Sequence, residues 1–169
     1  MERSAVLSEC GTYRFQLVRA LERGPEAARV SARGTLAWVL CNPSTADAET
    51  DDATVRKCWR YTLGWGYGSM MFVNVNPYRS TNPKTQVEPA EPILVANDSW
   101  LRYAVTQCPY VIAAWGDSAL PTLVRRAVNV IHTLGPLHAL HTTKSGQPGH
   151  PLYLPGDAQP QLWKPTGLN

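Results

Sequence analysis

The sequence predicts an α/β fold: a three-layer α/β/α sandwich around a central, mostly parallel four-stranded sheet. Three observations carry this. Short, nearly continuous apolar runs recur at residues 35–41, 69–75, 110–115 and 137–141, as strands buried on both faces would. Amphipathic, helix-length segments separate them. At 169 residues with 44% hydrophobic and 17% charged side chains, the chain suits one domain with a sizeable core.

Taken in order, residues 1–11 read as a polar lead-in. Residues 13–21 alternate apolar and polar, as a half-exposed strand would. Residues 24–34 carry Gly, Pro and Arg and read as a loop. The first strongly buried strand, 35–41, stops at Asn42-Pro43-Ser44-Thr45-Ala46-Asp47. Asp51 and Asp52 follow where a helix would start, since Asp caps helix N-termini and favours their positive end. Residues 54–63 then put Val55, Cys58, Trp59, Thr62 and Leu63 on one stripe, and a Gly-rich segment from Gly64 ends the helix.

The second buried strand, 69–75, also exits through Asn-Pro, at Asn76-Pro77, into a polar loop with Arg79, Asn82, Pro83 and Lys84. Residues 92–108 read as a helix. A third strand, 110–115, closes at Gly116. Residues 121–134 read as a helix with Leu123, Val124, Ala127, Val130 and Ile131 inward and Arg125 and Arg126 outward. A short fourth strand, 137–141, leads into a flexible 142–150 loop, and the Pro-rich tail reads as irregular.

Composition sets limits. Net charge is +3 and the pI about 8.7, a mild basic bias compatible with a phosphate-bearing partner. Six Trp and seven Tyr serve mainly core and rim packing, with one or two available to stack on a base. The four cysteines form no CxxC pair and no metal-like spacing with His, so buried free thiols are expected. No apolar stretch reaches a membrane span and no signal-peptide core leads the chain, so a cytoplasmic protein with no membrane partner is expected. No GxGxxG, GxxxxGK[ST] or GxSxG motif supports dinucleotide binding, P-loop chemistry or an α/β-hydrolase elbow.

Four strand exits offer polar groups: Asn42, Asn74 or Asn76, Trp115-Gly116, and the segment from His141 to His150. In a parallel sheet they share one edge and form one cleft. Amides suit reading a base edge, because one side chain both donates and accepts. Asn or a carboxylate positions water, and a His stabilises negative charge on a leaving group. Each group also has a plainer use: Asn-Pro as turn chemistry, Asp51 and Asp52 as caps, His150 as a loop residue, and Arg79, Lys84 and Lys144 as solvated charges. Ser44 acting as a nucleophile with His150 and Asp47 is a weaker alternative.

These motifs resemble a known family. Asn42-Pro43-Ser44-Thr45-Ala46-Asp47, Asp51-Asp52-x-Thr54, Asn74-x-Asn76-x-Tyr78-Arg79, Ala114-Trp115-Gly116 and Gly146-x-Pro148-x-His150-Pro151-Leu152-Tyr153-Leu154 look like the bacterial and phage domain of unknown function 1643. More distantly, the layout resembles the uracil-DNA glycosylase superfamily. That superfamily has a water-activating loop with Asn-Pro after the first strand, a base-reading Asn after the next, a Leu-Trp-Gly strand end, and a His-Pro loop with a Leu wedge.

The resemblance implies a monomeric, monofunctional DNA glycosylase that flips out a base and cleaves its N-glycosidic bond. Asn42, aided by Asp47 or by an Asp51 or Asp52 carboxylate, would place the water, and His150 would stabilise the leaving base. Pro43, Asn74, Asn76, Tyr78 and Trp115 would contact the base. Ser44, Thr45, Arg79, Lys144 and Ser145 would hold DNA phosphates, and Leu152 or Tyr153 would fill the gap in the stack. Neither metal nor cofactor is expected, since pyrimidine departure is driven by electrostatic stabilisation.

The pattern also departs from the superfamily. His150 lies nine residues beyond His141, which leaves His141 as an alternative, and the base-stacking aromatic after the first motif is replaced by Asp51-Asp52. A changed pocket wall implies a modified, phage-type pyrimidine and a role in anti-phage defence. A non-catalytic nucleic-acid or nucleotide-binding module of the same fold, and an unrelated small-molecule hydrolase using Asp and His, are the competing readings.

Overall fold

The protein is described by a computed structural model covering residues 1–22, 24–25, 33–82 and 85–165. Most of the 24–34 loop, and Pro83 and Lys84, lie outside the described residues. Seven strands and three helices are described: β1 (Glu2–Leu7), β2 (Arg14–Ala20), β3 (Thr35–Leu40), α1 (Ala53–Gly64), β4 (Ser69–Asn74), α2 (Glu91–Gln107), β5 (Tyr110–Ala113), α3 (Pro121–Ile131), β6 (Leu137–Ala139) and β7 (Gln161–Trp163). A 3-10 turn, Pro151–Tyr153, precedes β7. None of the described helices is long and apolar enough to cross a membrane.

The fold is α/β, but its sheet is not the four-stranded, mostly parallel one expected. All seven strands form one mixed sheet in the order β1-β2-β4-β3-β5-β6-β7. The inner pairings β4–β3, β3–β5 and β5–β6 are parallel. The outer pairings β1–β2, β2–β4 and β6–β7 are antiparallel. The additions come from segments whose composition hid them. β1 is an edge strand whose first three residues are exposed, so it reads as a polar lead-in. β7 has two exposed residues and one buried one, Trp163, in a Pro-rich tail.

β2 was expected to be half exposed, yet most of it is buried. Its polar positions, Arg14, Gln16 and Arg19, turn inward into hydrogen-bonded sites instead of facing water. Period-two polarity reports a solvent face only when the polar side chains lack internal partners.

Alternation along β3 separates two cores. Leu36, Trp38 and Leu40 pack with Val55, Cys58 and Tyr61 of α1. Ala37, Val39 and Cys41 pack on the other face with Leu101 and Val105 of α2 and Ala127 and Ile131 of α3. Burying each large apolar side chain contributes about 1.5–3 kcal/mol. The α1 stripe holds as expected at Val55, Cys58 and Thr62, but Tyr61 is buried in place of Leu63, which is exposed. Arg126, expected to face solvent, ties α3 to α2 through Asp98 and Glu91, with N···O distances of 2.8 Å.

The parallel inner strands put the exits of β3, β4, β5 and β6 on one edge. Backbone bonds then hold those exits together. Val75 N–H donates to Leu40 O at 2.9 Å, Asn76 N–H to Cys41 O at 3.0 Å, and Ala114 N–H to Val39 O at 2.8 Å.

Candidate functional site

A cleft of about 550 Å³ opens at that edge. Cys41, Asn42 and Ser44 line it from the β3 exit, and Asp52, Ala53 and Thr54 from the start of α1. Ser80 and Thr81 come from the loop after β4, and Trp115, Gly116, Asp117 and Ser118 from the β5 exit. His141 and Thr143 follow β6, and Gly149, His150 and Leu152–Leu154 close the remaining wall.

Two buried arginines of β2 position the loop between β3 and α1. Arg14 Nη1 donates to Ala46 O at 2.6 Å. Burial pushes its guanidinium down to about 10, and the nearby Asp52 charge opposes that shift. Arg19, with no exposed surface, donates through Nε to Asp51 Oδ1 at 2.7 Å and through Nη2 to Asp47 O and Thr50 O. Arg3 adds a second contact to Asp51 at 3.3 Å. Asp47 Oδ1 accepts from Glu49 N–H and Thr50 N–H, both at 2.9 Å, and these bonds lower its pKa.

The choice among the three aspartates therefore resolves. Asp51 is held by arginine and Asp47 folds its own loop. Asp52 is the one that lines the cleft. Its Oδ1 caps α1 by accepting from Val55 N–H at 2.8 Å, and among the described residues Oδ2 has no partner.

Asn42 donates through Nδ2 to Pro43 O (3.0 Å) and Ser80 O (2.8 Å). This fixes the amide and, among the described residues, leaves Oδ1 without a donor. Cys41 lies at the same wall with Gln86 Nε2 donating to its sulfur at 3.3 Å, and burial pushes the thiol up to about 11. It stays a thiol and is a poor nucleophile.

His150 sits opposite the β3 exit, on a loop fastened to β5. Gly116 N–H donates to Pro148 O at 2.8 Å, Trp115 Nε1 to Gln147 Oε1 at 2.8 Å, and Gly149 N–H to His141 O at 2.7 Å. His150 Nδ1 accepts from Leu152 N–H at 3.4 Å, which assigns the proton of the neutral ring to Nε2. Burial lowers the His150 pKa from its ordinary 6.5, and the Asp52 charge works in the opposite direction. The ring is thus a neutral donor, placed within the field of the Asp52 carboxylate.

Gly116 makes this approach possible. Its φ is +70°, and a Cβ there would lie 3.3 Å from His150 Cβ. Gly116→Ala is expected to cost about 1–2 kcal/mol from the left-handed backbone alone. It should lower Tm by about 2–8 °C in a thermal melt and displace the His150 ring, read as a shifted ring resonance by NMR.

Of the residues expected at the site, Asn42, Ser44, Asp52, Trp115, His150, Leu152 and Tyr153 come together in the cleft. Tyr153 is 83% exposed at its mouth. The alternative histidine, His141, also lines it.

Others fall elsewhere. Asn76 is buried and spent on its loop, accepting from Tyr78 N–H at 3.0 Å and donating to Val87 O at 3.0 Å. Asn74 is 1% exposed, among the core side chains and not the lining residues. Its backbone oxygen accepts from Asn97 Nδ2 at 2.9 Å. Pro43, Thr45, Asp47, Tyr78, Arg79, Lys144 and Ser145 are also absent from the cleft wall. Tyr78 packs edge-on against Tyr13, Arg79 donates to Gly11 O at 3.2 Å, and Ser145 donates to Asp117 Oδ1.

The reason is common to the two Asn-Pro exits: a side chain at a strand exit serves the site only if its own loop does not consume it. Asp117, Thr143, Ser80 and Thr81 were missed. Asp117 had a signal, as a carboxylate directly after a Trp-Gly strand exit.

A family model described as "Protein of unknown function (DUF1643)" matches residues 14–152. The chain belongs to that family. No curated protein and no solved structure matches it. The DUF1643 match runs from Arg14, the first arginine beneath the β3 exit loop, to Leu152, so it spans every segment that lines the cleft except its last two residues, Tyr153 and Leu154.

Proposed function

We propose that this DUF1643 protein is a DNA glycosylase that flips out a modified pyrimidine and hydrolyses its N-glycosidic bond, leaving an abasic site. The observation that carries the reading is the pairing, in one cleft, of a neutral His150 with its proton on Nε2 and an Asp52 carboxylate with a free oxygen. Asn42, its amide locked by two carbonyls, offers Oδ1 beside them.

In this mechanism water bound by Asn42 Oδ1 and Asp52 Oδ2 attacks C1′ as the C1′–N bond breaks. Asp52 takes the water's proton. The base leaves with the bonding electron pair, and its developing oxyanion accepts a hydrogen bond from His150 Nε2–H. A neutral donor suits this role, because burial of the ring disfavours the charged imidazolium. Trp115 walls the base pocket. Leu152 and the exposed Tyr153 fill the gap left in the stack. Ser44, at the cleft wall, would contact a flanking phosphate.

The test is incubation with single- and double-stranded oligonucleotides carrying uracil, hydroxymethylated or glucosylated pyrimidines, followed by alkali. Strand scission on one of these, lost with Asp52→Asn, supports the reading. No abasic site on any of them ends it. Salt-sensitive binding without scission would instead favour a non-catalytic nucleic-acid module.

A further inference from the structure

Asn76 is buried and hydrogen-bonded into its own loop, and Asn74 is buried among core side chains; neither lines the cleft, so the wall needs another group to discriminate among bases. Asp117, exposed on the β5 exit loop, lines the cleft next to Trp115 and Gly116. Its Oδ1 accepts from Thr143 Oγ1 at 2.8 Å and from Ser145 Oγ. Those two hydroxyls lie 2.9 Å apart, and Thr143 Oγ1 also accepts from Gln147 N–H at 3.2 Å. One oxygen is therefore saturated and the carboxylate plane held, while among the described residues Oδ2 has no donor. A carboxylate accepts and does not donate. A base edge packed against Oδ2 displaces its water and is favoured when it brings a hydrogen-bond donor, whereas a carbonyl placed there meets lone-pair and charge repulsion.

Building on the glycosylase reading, we infer that Asp117 is a specificity-determining residue that selects a base with an exocyclic amine over one with a carbonyl at the same position. Acidic side chains read the cytosine amino group in this way elsewhere. Thr143 and Ser145 are positioning residues for that carboxylate. Ser145 thus acts on the base through Asp117 and not on a phosphate.

The experiment measures binding, not cleavage. Three single-stranded oligonucleotides each carry one central 2′-fluoroarabino nucleotide, whose fluorine suppresses N-glycosidic hydrolysis. The three bases are cytosine, pyrimidin-2-one (cytosine without its amine) and uracil. A fourth carries 5-hydroxymethyluracil, which keeps the C4 carbonyl and adds a hydroxyl donor on C5.

Cytosine is expected to bind about tenfold or more tightly than pyrimidin-2-one, as loss of one hydrogen bond to a charged acceptor predicts, with uracil weakest. Asp117→Asn should close or invert the preference for cytosine over uracil, because its amide donates to a carbonyl. Ser145→Ala, which keeps the carboxylate, should narrow the gap without inverting it, and it stands in should Asp117→Asn not fold.

Equal binding of cytosine and pyrimidin-2-one, a preference unchanged by both variants, tighter binding of the hydroxymethyl base than of cytosine, or no binding to any probe would each overturn the inference. An amine preference that depends on Asp117, with no scission of any cleavable substrate, would leave this inference standing while the glycosylase reading falls.

Discussion

His150→Phe is expected to lower kcat on a cleavable oligonucleotide by about 10²–10³-fold, the loss typical of removing one donor from a developing oxyanion. Phe keeps the ring's bulk against Gly116 and Tyr153 but has no Nε2–H to offer the leaving base. It also cannot accept from Leu152 N–H, so part of any stability change will come from that turn. KM should change less than kcat, because the interaction strengthens only as charge develops. His150→Gln, which retains a donor, should recover part of the rate. If His150→Phe kept full activity while His141→Phe abolished it, the neighbouring histidine would take the role.

The same group sets a pH dependence. Burial lowers the His150 pKa from the ordinary 6.5, so the ring stays neutral in the folded protein below the pH at which a free histidine protonates. The acid limb that it contributes to the rate should fall below pH 6.5. Because the unfolded chain takes up this proton more readily, the His150 contribution to stability is intact above pH 6.5. It declines as pH falls from there through the folded value. An NMR titration of the ring reads this directly. Asp52→Asn should move the midpoint further down, since Asp52 favours the protonated ring. An upward movement would show that the carboxylate does not face His150.

How far the sequence was legible depended on whether a residue's local pattern and its tertiary use agreed. The buried runs that became β3, β4, β5 and β6 were readable, because parallel strands between helical layers are apolar on both faces. β1 and β7 were not. The edge strands of this fold bury at most one side chain each, and three to six residues of mixed polarity carry no period that separates them from a loop.

At the site, Asn42, Asp52 and Trp115 were legible because each stands at the exit of a buried strand or the start of a helix, whereas His150 was reached through its His-Pro loop motif. Asn76 obeyed the same rule but turned inward, since the amide that suits a base edge also suits a turn. Arg14 and Arg19 escaped notice for a related reason. On β2 they sit in a short run of mixed polarity that reads as half-exposed, although both are buried and hold the loop that carries Asp52.

That concealed role makes Asp51→Ala the largest stability effect expected outside the cleft. Arg19 is fully buried, and Asp51, with 15% of its side chain exposed, is its counter-ion. Removing the carboxylate leaves a buried guanidinium with only carbonyl partners, at Val18, Asp47 and Thr50. Breaking one side of a buried pair costs about 3–5 kcal/mol, mainly because the surviving charge is uncompensated. For a chain of this size that lowers Tm by about 6–20 °C in a thermal melt. Asp51→Asn, which keeps an acceptor for Arg19 Nε, should cost clearly less than Asp51→Ala.

The loss should also reach function, because Asp51 immediately precedes the N-cap that lines the cleft. A thermal melt and a ligand- or substrate-based assay on the same variant separate the two effects. A protein that remains folded well below its lowered Tm yet binds or turns over poorly would place the Arg19–Asp51 pair in the positioning of Asp52. An unchanged melt would mean that Arg19 is neutralised by some other group, and the clamp described for the β3–α1 loop would have to be redrawn around the carbonyls alone.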